Sequence, residues 1–182
     1  MHRSSNMQLN RTKSNGLTFI ELIIVLAVLA ILLSWAMPSV RGSLARNQML
    51  GQANELAGAL ALARSEAITR GLQAGVCASS DGVQCSGAAT DWASNYIIFV
   101  DQDNGSDFDG GEPMLKSFRG HAEVTQSTAA SAFFFNASGF STTNAVATIE
   151  VCHENSEEHA VCRAVSISPS GTIGIHSETP GS

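Results

Sequence analysis

The densest set of groups able to do chemistry lies between Asp101 and Glu112, reading Asp-Gln-Asp-Asn-Gly-Ser-Asp-Phe-Asp-Gly-Gly-Glu. Counted from Asp101, acids stand at positions 1, 3, 7, 9 and 12, a spacing like that of the oxygen ligands in a calcium-binding loop. Carboxylates this crowded repel one another, and a hard divalent cation would relieve the repulsion. The candidate Ca2+ ligands are Asp101, Asp103, Asp107 and Glu112. Gly105 and Ser106 break the pattern, because the turn glycine belongs where Ser106 stands, and the flanking segments read as strands rather than helices. The plainer reading is a solvated acidic hairpin loop. A second cluster, Cys152-His153 with His159 and Cys162, has zinc-ligand chemistry but an irregular spacing. It reads better as cysteines committed to disulfides, with both histidines in a solvated loop. No nucleophile elbow, phosphate-binding glycine loop or His-Glu-x-x-His is present, so the sequence does not read as an enzyme.

The elements that carry these groups differ sharply along the chain. Hydrophobic residues are 44% and charged residues 14%, too apolar a balance for a disordered chain. The formal charge of −6 hides the layout. Residues 1–16 carry Arg3, Arg11 and Lys13 and no acid, whereas residues 71–182 hold 13 acids against Lys116, Arg119 and Arg163. DNA affinity rests largely on phosphate neutralisation by cations, so this acidic part argues against nucleic-acid binding.

Between them, Leu17–Met37 is almost wholly apolar, and its roughly 21 residues would span about 31 Å as a helix, enough for a bilayer core. The basic flank predicts a cytoplasmic N-terminus. The run is too long for a conventional signal peptide, and Trp35, Met37 and Pro38 follow where a small-x-small cleavage site belongs. Its single charge, Glu21, would cost roughly 2.5–3.5 kcal/mol in hydrocarbon and so needs a partner.

Gly16-Leu17-Thr18-Phe19-Ile20-Glu21-Leu22 resembles the processing signal of type IV prepilins and pseudopilins. The resemblance implies cleavage between Gly16 and Leu17 by a prepilin peptidase, N-methylation of Leu17, and a membrane-embedded Glu21 that counters a neighbouring subunit's terminal amine. Pro38 falls where pilins often kink the helix. The usual order of the first and third mature residues, Phe then Leu, is swapped here in Leu17 and Phe19. Ala45-Arg46-Asn47-Gln48 and Ala63-Arg64-Ser65-Glu66-Ala67-Ile68 narrow the resemblance to the FimT/FimU minor pilins, akin to the GspH pseudopilins of type II secretion. That group implies a role in priming fibre assembly at or near the pilus tip. The implied partners are other minor pilins, the major pilin, the peptidase and the inner-membrane assembly platform. Some FimT-like proteins bind DNA through arginines after a Ser-Pro-x-Gly turn; Gly171–His176 here has neither Arg nor Lys.

The expected organisation is a leader at 1–16, a transmembrane half-helix at 17–38, an amphipathic half at 39–70 and a periplasmic β-rich domain at 71–182. Met49, Ala53, Leu56, Leu60, Ala63 and Ala67 recur at spacings 4, 3, 4, 3, 4, one apolar stripe of a helix. Gly51 and Gly58 weaken that helix and read as allowing close packing. Strands are expected at Leu72–Ala78, Asn95–Val100, Met114–Arg119, Ala132–Asn136, Ala145–Cys152, Val161–Ser168 and Thr172–His176. The fold class is α+β: a long spine helix packed on an antiparallel sheet, the pilin fold by resemblance. Four cysteines allow three pairings. The local pairs Cys77–Cys85 and Cys152–Cys162 are preferred because each closes a short loop between strands, in a compartment where disulfides persist.

If Glu21 holds the amine of a neighbour, Glu21→Ala loses fibre assembly. Counting surface pili in cells carrying the variant checks this, and undiminished piliation would overturn the role given to Glu21.

Overall fold

The computed structural model describes residues 18–109, 111–120, 124–153 and 161–178. Gly16 and Leu17 lie outside them, as does His159. The chain divides into two compact units, Met1–Val40 and Arg41–Ser182, and helix α1 (Phe19–Arg70) has residues in both.

The start of α1 follows from two residues that also carry the processing resemblance. Thr18 precedes the helix, and its Oγ1 accepts the N–H of Glu21 at 3.4 Å. Thr18 and Glu21 stand in the Thr-x-x-Glu order of a capping box, and an acid in the first turn suits the positive end of the helix dipole. The helix runs on through Pro38, so the proline does not end it. Among the described residues no helix is long and apolar enough to cross a membrane. The large apolar side chains of α1 from Phe19 to Leu33 are exposed. The full run expected to span continues to Met37.

In the second unit, α1 buries the expected stripe. Met49, Ala53, Leu56, Leu60, Ala63 and Ala67 are all 0–1% exposed, and Ala59 joins them. The strands are β1 (Gln73–Ser79), β2 (Asn95–Asp101), β3 (Met114–Arg119), β4 (Val124–Ser127), β5 (Ala132–Phe135), β6 (Ala147–His153), β7 (Val161–Ile167) and β8 (Ile173–Glu178). They form two four-stranded antiparallel sheets, ordered β3-β2-β1-β5 and β4-β6-β7-β8, where the sequence suggested one. The element missed in sequence is β4. Only four residues long and reading Val-Thr-Gln-Ser, it has too few apolar positions to show a period. Trp92, in the 3-10 turn Ala89–Ala93, is also fully buried and donates its indole N–H to the Ala130 carbonyl at 2.9 Å.

Alternation places one face of each sheet in a shared core with α1. Ala74, Val76 and Ala78 of β1, Tyr96 and Ile98 of β2, and Phe133 and Phe135 of β5 belong to it, as do Ile149 and Val151 of β6 and Val165 and Ile167 of β7. The first sheet is buried on its other face too, by a smaller cluster of Cys77, Ile97, Phe99 and Phe134. This explains the unbroken Tyr-Ile-Ile-Phe-Val run of β2. Gly75 lies beneath that cluster, where a Cβ would collide with the rings of Phe99 and Phe134.

Gly51 and Gly58 do not serve close packing within the chain, since a Cβ at either would meet nothing within 4 Å. Gly58→Ala should therefore stabilise the protein by about 0.5–1 kcal/mol through helix propensity. Leu60→Ala, which empties a fully buried site, should cost about 2–5 kcal/mol. Denaturant unfolding of the full chain in detergent checks both signs.

Candidate functional site

The disulfides Cys77–Cys85 and Cys152–Cys162 are formed. With both thiols of the second pair bonded to each other, no thiolate zinc site exists there. His153 differs from its expected place in a solvated loop. It ends β6, is 7% exposed, and its Nε2 lies 3.2 Å from Gln48 Oε1 on α1. Beside it Gln126 of β4 donates from Nε2 to Gln52 Oε1 at 3.2 Å. Gln52 and Gln126 are each 4% exposed, so helix and second sheet share a buried polar seam. Sequence reasoning passed over these glutamines. The available signal was Gln48 and Gln52, which adjoin Met49 and Ala53 of the apolar stripe and are one helical turn apart.

The loop inside the first disulfide is held by Asp81. Its Oδ1 accepts the N–H of Val83 at 2.8 Å, the N–H of Gln84 at 3.1 Å and the Ser79 hydroxyl at 3.1 Å. The two backbone N–H groups hold its carboxyl below the ordinary range, with the Ser79 hydroxyl adding to them.

The acidic loop is ordered from its base. Asp101 is the last residue of β2 rather than the first of a loop, and it is fully buried. Its Oδ2 accepts from Gln73 Nε2 at 2.8 Å and from the Ser106 N–H at 3.0 Å. The Gly105 N–H reaches Asp103 Oδ1 at 2.7 Å and Asp101 Oδ1 at 3.2 Å. Asn104 and Ser106 take left-handed backbone, φ 61° each, to turn these N–H groups inward. Phe108 anchors the loop over the first sheet, its ring centroid 5.1 Å from that of Phe99. Glu112 Oε1 accepts the Gln102 N–H at 2.7 Å across the neck.

Of the four candidate calcium ligands, Asp101, Asp103 and Glu112 come together, with carboxylate oxygens within 4.8 Å of one another. Asp107 is not part of that group. The loop joins two strands, as the sequence indicated, and backbone N–H groups already occupy much of the carboxylate capacity. With one oxygen from each, the three carboxylates would give a divalent cation at most half of the 6–8 oxygens calcium takes, the rest falling to their second oxygens, carbonyls or water. Burial is the main cause of a raised Glu112 pKa; Asp101, Asp109 and Asp103 raise it further, and the Gln102 N–H acts the other way.

A spine helix packed on antiparallel sheets is the architecture of the pilin class. Residues 52–171 match the family described as Type II transport protein GspH, and the chain belongs to it. Residues 11–37 match the prokaryotic N-terminal methylation motif. Together these make it a membrane-anchored periplasmic subunit. The fold is similar to that of the type IV minor pilin FimU of Pseudomonas aeruginosa. In one crystal form the TM-score is 0.58 at 24% identity over 75% of this chain and 96% of that chain. In a second it is 0.55 at 23% identity over 73% and 98%. The minor pseudopilin EpsH from the Type 2 Secretion System of Vibrio cholerae aligns with a TM-score of 0.46 at 17% identity, over 71% of this chain and 95% of that chain. No curated protein matches the sequence.

A carboxyl whose pKa is raised by folding stabilises only while protonated; that contribution is complete below the unfolded value and is lost as pH rises through the folded one. Glu112→Gln should therefore raise the melting temperature at pH 7, and the gain should vanish below about pH 4. Thermal unfolding of both proteins at the two pH values checks this.

Proposed function

We propose that this chain is a minor pilin of the type IV pilus. Prepilin peptidase cuts between Gly16 and Leu17 and methylates Leu17. The mature protein, with a net charge of −9, is held in the inner membrane by a single span with its N-terminus in the cytoplasm. It then passes through the assembly platform into the fibre, where it helps prime assembly at or near the tip beside other minor pilins and the major pilin. The observation that carries this reading is the first unit. Between Phe19 and Leu33 every large apolar side chain is 45–79% exposed. Such a surface requires a cover, lipid before assembly and other subunits after it.

The outward face of α1 in the second unit supports subunit packing. Asn47, Gly51, Asn54, Gly58, Ala61 and Ser65 are exposed at spacings 4, 3, 4, 3, 4. Small side chains at that spacing let another backbone approach closely, which accounts for two glycines with empty space above them. A second reading, a pseudopilin of type II secretion, is favoured by the description of the matched family. A third, a FimT-like DNA-binding minor pilin, has the least support. Gly171–His176 carries no cation, and residues 71–182 sum to −10.

Deleting the gene separates the first two: lost piliation and twitching mark the pilin, lost exoprotein release the pseudopilin. Within the pilin reading, Gly58→Trp should leave the fold intact yet lower recovery of the protein in sheared fibres at least about tenfold, the effect of roughly 1.4 kcal/mol at a contact. Immunoblots of the fibre fraction and of membranes make the measurement.

A further inference from the structure

Three of the four outer sheet edges are protected. Strand β3 carries Lys116 and Arg119 and a register shift where it pairs with Ile98 and Phe99. Strand β4 packs against the 3-10 turn, and β5 is covered by Ser141 and Thr142, whose N–H reaches the Phe134 carbonyl at 3.0 Å. Charges and irregularities of this kind are how sheets avoid adding foreign strands. Strand β8, Ile-Gly-Ile-His-Ser-Glu, has no Lys or Arg and no register shift, and its single acid, Glu178, stands at its far end. It pairs with β7 in unbroken register from Ile173 to Glu178, and among the described residues nothing pairs with its other side. The Ser168 N–H reaches the Thr172 carbonyl at 2.9 Å. Alternation in an antiparallel ladder then turns the N–H and C=O groups of Ile173, Ile175 and Ser177 outward.

A groove of about 450 Å³ opens at the start of this strand, lined by Ala61, Arg64, Ser65 and Ile68 of α1 and by Thr172 and Ile173. Ile175, two residues on and on the same strand face as Ile173, is 37% exposed. The one charge in the groove is Arg64. Its Nη2 donates to the Ser170 carbonyl at 3.3 Å, Nε has no partner, and no described carboxylate pairs with it. This is a half-buried, unneutralised cation in a domain that is otherwise strongly acidic.

We propose that the β8 edge and its groove take up an extended segment of another protein chain, which adds a strand to the sheet. Apolar side chains of that segment enter the groove, and a carboxylate on it meets Arg64. The backbone ladder supplies affinity, and the groove and Arg64 supply selectivity. One cation cannot neutralise a polyanion, so the occupant is a peptide with a single placed acid rather than DNA.

The test uses the full chain in detergent micelles and a fluorescent blocked hexapeptide of alternating valine and threonine with one aspartate, compared with its asparagine counterpart. Anisotropy should give roughly tenfold tighter binding of the aspartate peptide. Arg64→Gln should erase that preference and Arg64→Lys should keep it. Ile175→Pro removes one outward N–H at an edge, where proline is tolerated, and should abolish binding of both peptides while the melting curve stays cooperative. Equal binding of the two peptides, binding indifferent to Ile175→Pro, or no binding at all would overturn the proposal. So would tighter binding of a single-stranded oligonucleotide, or a peptide-independent dimer lost in Ile175→Pro, which would give the edge to a second copy.

Discussion

The second unit rests on one burial: a stripe of α1 set into the inner faces of two sheets. The residues of that stripe are mostly small. Ala53, Ala59, Ala63 and Ala67 bring the helix close, while Met49, Leu56 and Leu60 fill the space between them. Large aromatic residues come from the sheets instead, with Tyr96, Phe133 and Phe135 facing the helix and Trp92 closing one side. The division is economical in geometry: a slim helix face needs broad strands opposite it to reach native packing density. Helix and sheets also meet through the Gln48–His153 and Gln52–Gln126 pairs, which reward one rotation and axial setting of α1 over others.

Much of this was legible because the periodicity was strong. The stripe from Met49 to Ala67 is buried as its spacing implies, and the strands from Asn95, Met114 and Val161 begin where apolar runs begin. What escaped was whatever periodicity does not encode. Strand β4 is polar and short, so its pairing with β6 depends on a partner 27 residues away, as Thr125 and Cys152 illustrate. The split into two sheets is a matter of which edges meet, and no local pattern specifies it. His153 looked like a loop residue because it follows a cysteine and precedes a polar stretch. A strand that alternates Ile149, Val151, His153 nevertheless points it inward.

The acidic loop shows the same division between composition and placement. Its charge is obvious in sequence, but the fate of each carboxylate is not. Asp101 is carried into the protein by its position at the end of β2 and is satisfied there by Gln73 and by two backbone N–H groups. Phe108, the one large apolar residue in the loop, fixes the whole excursion to the sheet through Phe99. Asn104 and Ser106 make the turn with left-handed backbone, and the aromatic ring decides where it leads.

Because α1 belongs to both units, a pull on its N-terminal part is a load on the second unit as well. Neither disulfide bridges helix to sheet; each closes a loop within the β-rich part, across 8 and 10 residues. A tensile load along α1 is therefore resisted by shear of the whole stripe across two sheets at once, not by a covalent link and not by peeling one strand at a time. Many small contacts broken together resist such a load better than the same contacts broken in sequence. The architecture thus makes the grip between helix and sheets, rather than the cross-links, the mechanical fuse of the subunit.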